Sequence, residues 1–303
     1  MINGPEMTEK EMWESLPGTD GEEKAALLLA LCRQATFRNA GDEALALAES
    51  AKEIYDSLGA TAANADIANA YQGISYSLKQ LNRTAEAAKV LENAVAIYRE
   101  DHYPFVDDLL RTQAIWYSEV GDWEKTLQCH LEAVTVNEVD GNEEWLAKSL
   151  FNVGVAHSNL GNFPEAIAHH LRARAIFKTL KLVEEVGKCD SNIAEAYCEL
   201  GQGEEAIGPA QRAYDVAKTI QNHRNQMWAL YNRGRANFLI GDYDGASVDI
   251  NDALYFATSG PDKDWEFIVG VEEENVKLFR HYGRDEEADQ IERRLATIRE
   301  ILG

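Results

Sequence analysis

The sequence predicts an all-α chain built from stacked antiparallel helix pairs, and three observations carry that reading. Segments with one spacing of small residues recur every forty residues or so. Proline is scarce, six in 303 residues, and proline removes a helix hydrogen bond and clashes with the preceding turn. No segment alternates apolar and polar residues with the period of two that a half-buried strand requires.

The repeat is clearest at Gly121, Gly161, Gly201 and Gly241, which stand forty apart. Each is followed by an amphipathic stretch. Weaker copies begin at Asn82 and Gly283, and the first copy, from Gly41, is offset by about two residues. Two columns of small residues run through the copies. One is Ala44, Ala87, Thr126, Ala166, Ala206, Ala246 and Ala288; the other is Ala51, Ala94, Ala133, Ala173, Ala213 and Ala253, broken by Leu295 in the last copy. The columns are seven residues apart, two helical turns, so both lie on one helix face where alanine permits close approach. Upstream of each turn another helix carries its own small residue: Gly73, Ala114, Gly154, Ala194 and Gly234. Three residues later come Tyr76, Tyr117, His157 and Tyr197, with Asn237 breaking that column.

Each unit thus reads as helix A, a short turn, then helix B. The pairs are expected near 22–58, 62–100, 103–137, 143–180, 182–220, 222–258 and 263–302. They form one domain over 21–303 behind a flexible tail of residues 1–20. One pair cannot bury its apolar face alone, and stacking does so.

The register of Gly or Ala, Tyr, Gly, Ala and Ala resembles the tetratricopeptide repeat over about 280 residues. The repeat is longer than the usual 34 residues and lacks the usual proline at the end of helix B. It is similar to the long-helix variety seen in kinesin light chains, Pins-type adaptors and Rap-type peptide receptors. The resemblance implies a right-handed superhelical solenoid of about seven pairs, with a concave groove lined mainly by A helices. That groove would bind an extended or helical peptide or partner tail. The resemblance implies an adaptor without catalytic activity, or alternatively a peptide-signal receptor whose superhelix changes shape on binding. Rap-like regulators add an N-terminal bundle beyond the repeats, which is not expected in this sequence. About twenty residues precede the first helix of the repeats, so no DNA-binding module is expected.

Candidate groove residues follow from the register. Asn152, Asn192 and Asn232 precede the small residue of three successive A helices by two. Stacked, they would form a ladder. An amide side chain offers donors and an acceptor that match a peptide main chain. Lys148 and Lys188 lie four residues before two of them, on the same helix face. Trp228 holds the third such place, and Arg111, Arg235 and Tyr231 lie on neighbouring A-helix faces. The groove is therefore expected to be less acidic than the shell, or locally basic, and to suit a peptide with an acidic side chain or terminus. This loosely resembles a carboxylate clamp without reproducing it in full. Trp116, Phe151 and Phe238 are further aromatic candidates for anchor pockets or core.

Composition excludes other classes. Asp and Glu number 52 against 29 Lys and Arg, a net charge of −23, which repels phosphate backbones and anionic membranes. No apolar run approaches a bilayer's thickness, and the first twenty residues carry no secretory pattern. Cys32, Cys129, Cys189 and Cys198 form no C-x-x-C pair, so buried thiols in a cytoplasmic protein are expected. The G-x-G-x-x-A run from Gly201 to Ala206 lacks a preceding strand and belongs to the repeat, not to a nucleotide site. His169 and His170 are adjacent, and His130 shares a column with His170. The same column holds Ala210 and Ile250, so it reads as packing. No metal or cofactor is expected. The acids of the last pair, Glu272 to Glu274 and Asp285 to Glu287, are expected on a solvated face.

Overall fold

In the computed structural model the described residues are 7–59, 62–100, 106–259 and 265–302. Among them are fifteen α-helices, one short 3-10 turn and no strand. The chain divides into two compact units, Met1–Asp140 and Gly141–Gly303, where the sequence had suggested one domain over 21–303. The repeats are alike on both sides of that division, so it leaves no mark in the repeat pattern.

The first unit holds α1 (Glu9–Ser15), α2 (Gly21–Phe37), α3 (Gly41–Leu58), α4 (Asn64–Gln80), α5 (Thr84–Glu100), α6 (Val106–Glu119) and α7 (Trp123–Asp140). Helix α1 lies within the stretch expected as a flexible tail; residues 1–6 fall outside the described residues. Its start is fixed by a capping box, in which Thr8 and Glu11 satisfy each other's backbone donors. Met12 then buries itself in the core of this unit.

The second unit holds α8 (Glu143–Asn159), α9 (Phe163–Thr179), α10 (Val183–Glu199), α11 (Gly203–Thr219), α12 (His223–Leu239), α13 (Tyr243–Ser259), α14 (Trp265–His281) and α15 (Asp285–Leu302). From α2 onward the helix pairs match the seven expected ones to within three residues at each end. Residues 103–105 and 263–264 of the expected pairs lie outside the described residues. Within each unit every helix packs on its sequence neighbour, and A helices also touch the next A helix, as α2 does α4 and α10 does α12.

Both small-residue columns are buried throughout, from Ala44 to Ala288 and from Ala51 to Ala253, and Leu295 in the last copy is buried too. The turns explain the glycines. Gly121, Gly161, Gly201, Gly241 and Gly283 adopt φ between 69° and 84°, left-handed values that cost glycine nothing. Around Gly161 its own N–H reaches the Ser158 carbonyl and the Asn162 N–H reaches the His157 carbonyl, at 3.0 and 2.9 Å. This paired closure satisfies carbonyls the helix leaves open. Asn39, Asn82, Lys181 and Gln221 take the same backbone conformation in equivalent turns.

The final pair departs from expectation. Glu272 and Glu274 are buried, not solvated. Arg294 of α15 pairs with Glu272, while Glu274 is held by Lys277 at 2.7 Å and approached by Arg235 at 3.9 Å. A buried carboxylate persists only when paired, and here Arg294 and Arg235 come from other helices while Lys277 comes from α14 itself. All four cysteines are buried and free, and burial pushes Cys129, Cys189 and Cys198 up to about 12.

Candidate functional site

In the second unit a concavity of about 260 Å³ opens where α8, α10, α11 and α12 meet. Helix α10 supplies the largest share of its wall. Gly187, Lys188, Ser191, Asn192 and Glu195 follow the i, i+4 and i+8 spacing that gathers side chains on one helix face. Phe151 of α8 and Trp228 of α12 stand as aromatic walls, Asn225 adds an amide, and Ala213, Val216 and Ala217 of α11 form an apolar floor. The floor is tight: a Cβ on Gly187 would lie 2.7 Å from a methyl of Val216.

Three expected residues, Lys188, Asn192 and Trp228, come together here. The Asn192 side chain makes no hydrogen bond to another described residue. Asn232, expected on the same ladder, is a correction: it is 1% exposed and turned into the protein. Its Nδ2 donates to the Ser191 carbonyl at 3.2 Å and approaches the Ser191 hydroxyl at 3.4 Å, while its Oδ1 is buried without a partner. The preceding A helix differs at the matching place: forty-one residues before Asn232 stands Ser191, whose hydroxyl adds a second contact to that of its carbonyl, whereas forty-one before Asn192 stands Phe151, with no polar side-chain atom. Asn152 is half-buried and does not line the concavity.

The expected basic character is also corrected. Lys188 is neutralised by Glu184 and Glu185 at 3.2 and 3.0 Å. Lys148 pairs with Glu144 at 2.6 Å and lies 4.1 Å over the Trp145 ring. Arg235 binds Glu199 at 2.6 Å and covers the Tyr231 ring at 5.6 Å. In the first unit Arg111 pairs with Asp107 and Asp108 of its own helix. No open cationic clamp remains at these positions. Tyr231 is half-buried, packs edge-on against Trp228 and Phe267, and burial pushes its hydroxyl up to about 12.

Sequence reasoning missed Ser191, Glu195 and Asn225. Glu195 is open to solvent but crowded by surrounding protein. That crowding holds its carboxyl above the usual range; Arg235 opposes the effect and Glu199 adds to it. Its only sequence signal is its place three residues after Asn192, on the same face.

Behind Phe151 sits His170, fully buried, with neither ring nitrogen hydrogen-bonded. Its ring meets Phe151 edge-on at 5.2 Å and occupies the space left by Gly154, where a Cβ would come within 2.6 Å. Burial pushes His170 down to about 4, and buried His130 of the first unit is likewise pushed down to about 4. His157 and His169 stack at 5.4 Å. Among the described residues no group of three or more His, Cys, Asp or Glu is placed to hold a metal ion, and no helix is long and apolar enough to cross a membrane.

The first unit has its own concavity, of about 280 Å³, between A helices α2 and α4. Leu29, Cys32, Arg33, Thr36 and Phe37 face Asn69, Gln72, Gly73 and Tyr76 across it.

Comparisons with known proteins agree with this architecture. Family models described as tetratricopeptide repeat match residues 68–101 and 106–179. No curated protein matches the sequence. Among solved structures, BtubC from P. vanneervenii is similar at 18% identity and TM-score 0.59, covering 73% of this chain and 92% of its own. The apo form of RapI is similar at 15% identity and TM-score 0.63, covering 91% and 98%. A Rap protein complexed with Competence and Sporulation Factor is similar at 15% identity and TM-score 0.51, covering 97% and 79%.

Proposed function

We propose, on the premise that this chain belongs to the tetratricopeptide-repeat family, that it holds an extended peptide or partner tail against the A helices of its second unit and catalyses no reaction. The observation that carries this is the concavity in which the unbonded amide of Asn192 stands beside the aromatic walls of Phe151 and Trp228. An amide with free donors and acceptor suits a peptide main chain, and half-buried aromatics suit anchor side chains. The likeness to a Rap protein complexed with Competence and Sporulation Factor supports a fold that receives a bound partner. The same likeness favours a second reading, a receptor that changes shape on binding. A cytoplasmic location accords with four free, buried thiols.

The test is a paired substitution, Asn192→Ala with Trp228→Ala, assayed against a pool of octapeptides by fluorescence anisotropy. Loss of an aromatic anchor and a main-chain contact weakens binding by about 10- to 100-fold. Unchanged binding with an intact circular-dichroism spectrum sinks the proposal. Small-angle scattering with and without peptide separates the two readings, since a receptor changes dimensions and a passive adaptor does not.

A further inference from the structure

We infer that the occupant of the second-unit concavity presents a cationic side chain, arginine or lysine, between Phe151 and Trp228 and against the carboxylate of Glu195. This rests on the peptide-groove reading above and names its ligand chemistry, opposite in sign to the acidic peptide that the sequence suggested.

Three observations lead there. Glu195 lines the concavity and makes no ion pair within 4 Å among the described residues. The cations nearby are already committed: Lys188 to Glu184 and Glu185, and Arg235 to Glu199 with Glu274 close by. Glu274 also engages Lys277. In this set the five carboxylates Glu184, Glu185, Glu195, Glu199 and Glu274 outnumber the three cations Lys188, Arg235 and Lys277, an excess of two negative charges, and the two charges that line the concavity itself are the paired Lys188 and the unpaired Glu195. An incoming carboxylate would displace an ion pair and meet Glu195. An incoming cation completes the set.

The walls fit the same ligand. Trp228 is braced edge-on by Phe267 at 4.5 Å and Tyr231 at 6.2 Å, and Phe151 is braced by His170. Braced, half-buried rings attract a guanidinium or ammonium through their π faces. A guanidinium also forms paired hydrogen bonds to a carboxylate. Asn192 and Asn225 remain to hold the flanking main chain. Crowding around Glu195 makes it a better partner than a fully hydrated acid, because a charge that is already partly stripped of water loses less on pairing. The chain's net charge of −23 draws a basic segment in from a distance.

The experiment uses the full chain and three octapeptide pools, acetylated and amidated. Each has random Gly, Ala, Ser and Asn positions around one fixed central residue: arginine, norleucine or glutamate. The expected order is arginine first, with norleucine and glutamate each at least tenfold weaker, and Glu195→Gln removes roughly tenfold of the arginine advantage. Glu204→Gln, the same charge change at an exposed site on α11, keeps that advantage and so excludes bulk attraction. If the norleucine or glutamate pool binds as tightly as the arginine pool while Trp228→Ala weakens all, the cation is wrong and the groove stands. If Glu204→Gln erases the preference as Glu195→Gln does, the cation site is also wrong. If no pool binds, or Trp228→Ala changes nothing, the groove reading fails and takes this inference with it.

Discussion

The two units carry the same repeat and line their grooves differently. In the first, the space between α2 and α4 is mainly apolar, with Phe37 86% exposed at its edge and Arg33 without an ion pair among the described residues. In the second, aromatic walls flank a carboxylate and two amides. What lies behind the grooves differs as well. A Cβ on Gly73 would meet Ala48 and Cys32 at 3.2 and 3.3 Å, ordinary small neighbours, whereas one on Gly154 would strike the buried ring of His170. One backbone pattern therefore supports two surfaces of different polarity and two backings of different chemistry. The scaffold fixes where side chains stand, and a handful of residues fix what the surface attracts.

Acid gives the largest test of this contrast. His170 and His130 are neutral when folded, with pKa values held to about 4 against an ordinary 6.5. A depressed folded value means the unfolded chain binds the proton more readily. The stability tied to each neutral ring is then complete above pH 6.5 and is lost as pH falls from 6.5 through 4. The full loss is about 3 kcal/mol for each histidine. Denaturant titrations at pH 7 and pH 4 should show it, and His170→Leu should flatten its share. Equal pH dependence in the variant and the parent would mean His170 is not the buried neutral ring described.

Gly154→Ala is the next test. The added methyl must displace His170 or α9, at a cost of about 1–3 kcal/mol. His170→Ala frees that space, so the double variant should be less destabilised than the sum of the single ones. Strict additivity would show that the two residues do not share a packing site. The smallest effect belongs to the first unit. Phe37→Ser alters a nearly free side chain, so stability should change by no more than about 0.5 kcal/mol. Binding of the arginine pool should be unaffected, and any weakening would mean that the first groove, too, engages that ligand.

Much of the fold was legible because its determinants are local and repeated. Glycine at the left-handed turn and alanine at the helix contact are demanded by backbone geometry, and each recurs often enough to set the register. The site was legible only in part. Lys188, Asn192 and Trp228 were found because they lie on one face of A helices. The fate of Asn232 depended on Ser191, a residue of the preceding A helix. The cations misled for a nearer reason: Glu144, Glu184 and Asp107 lie four residues before Lys148, Lys188 and Arg111, a spacing that pairs charges along a helix. The more exposed pairs, Lys148–Glu144 and Lys188–Glu184, contribute only about 0.3–0.5 kcal/mol each, yet they suffice to mask a positive surface. The burial of Glu272 was hidden because its partner Arg294 arrives from another helix.

The short joints between helices carry a mechanical consequence. At Gly161 and Gly201, and at their counterparts Gly121, Gly241 and Gly283, three residues reverse the chain and their N–H groups are already bonded to the helix just completed. Such joints hold no slack that could be drawn out. Within either unit, a deformation imposed by a ligand must be taken up as small slips between neighbouring cylinders, shared over several contacts. Resistance to bending is then tuned by the alanine seams, where bulk added anywhere along them would stiffen or jam the slide far from the point of attachment.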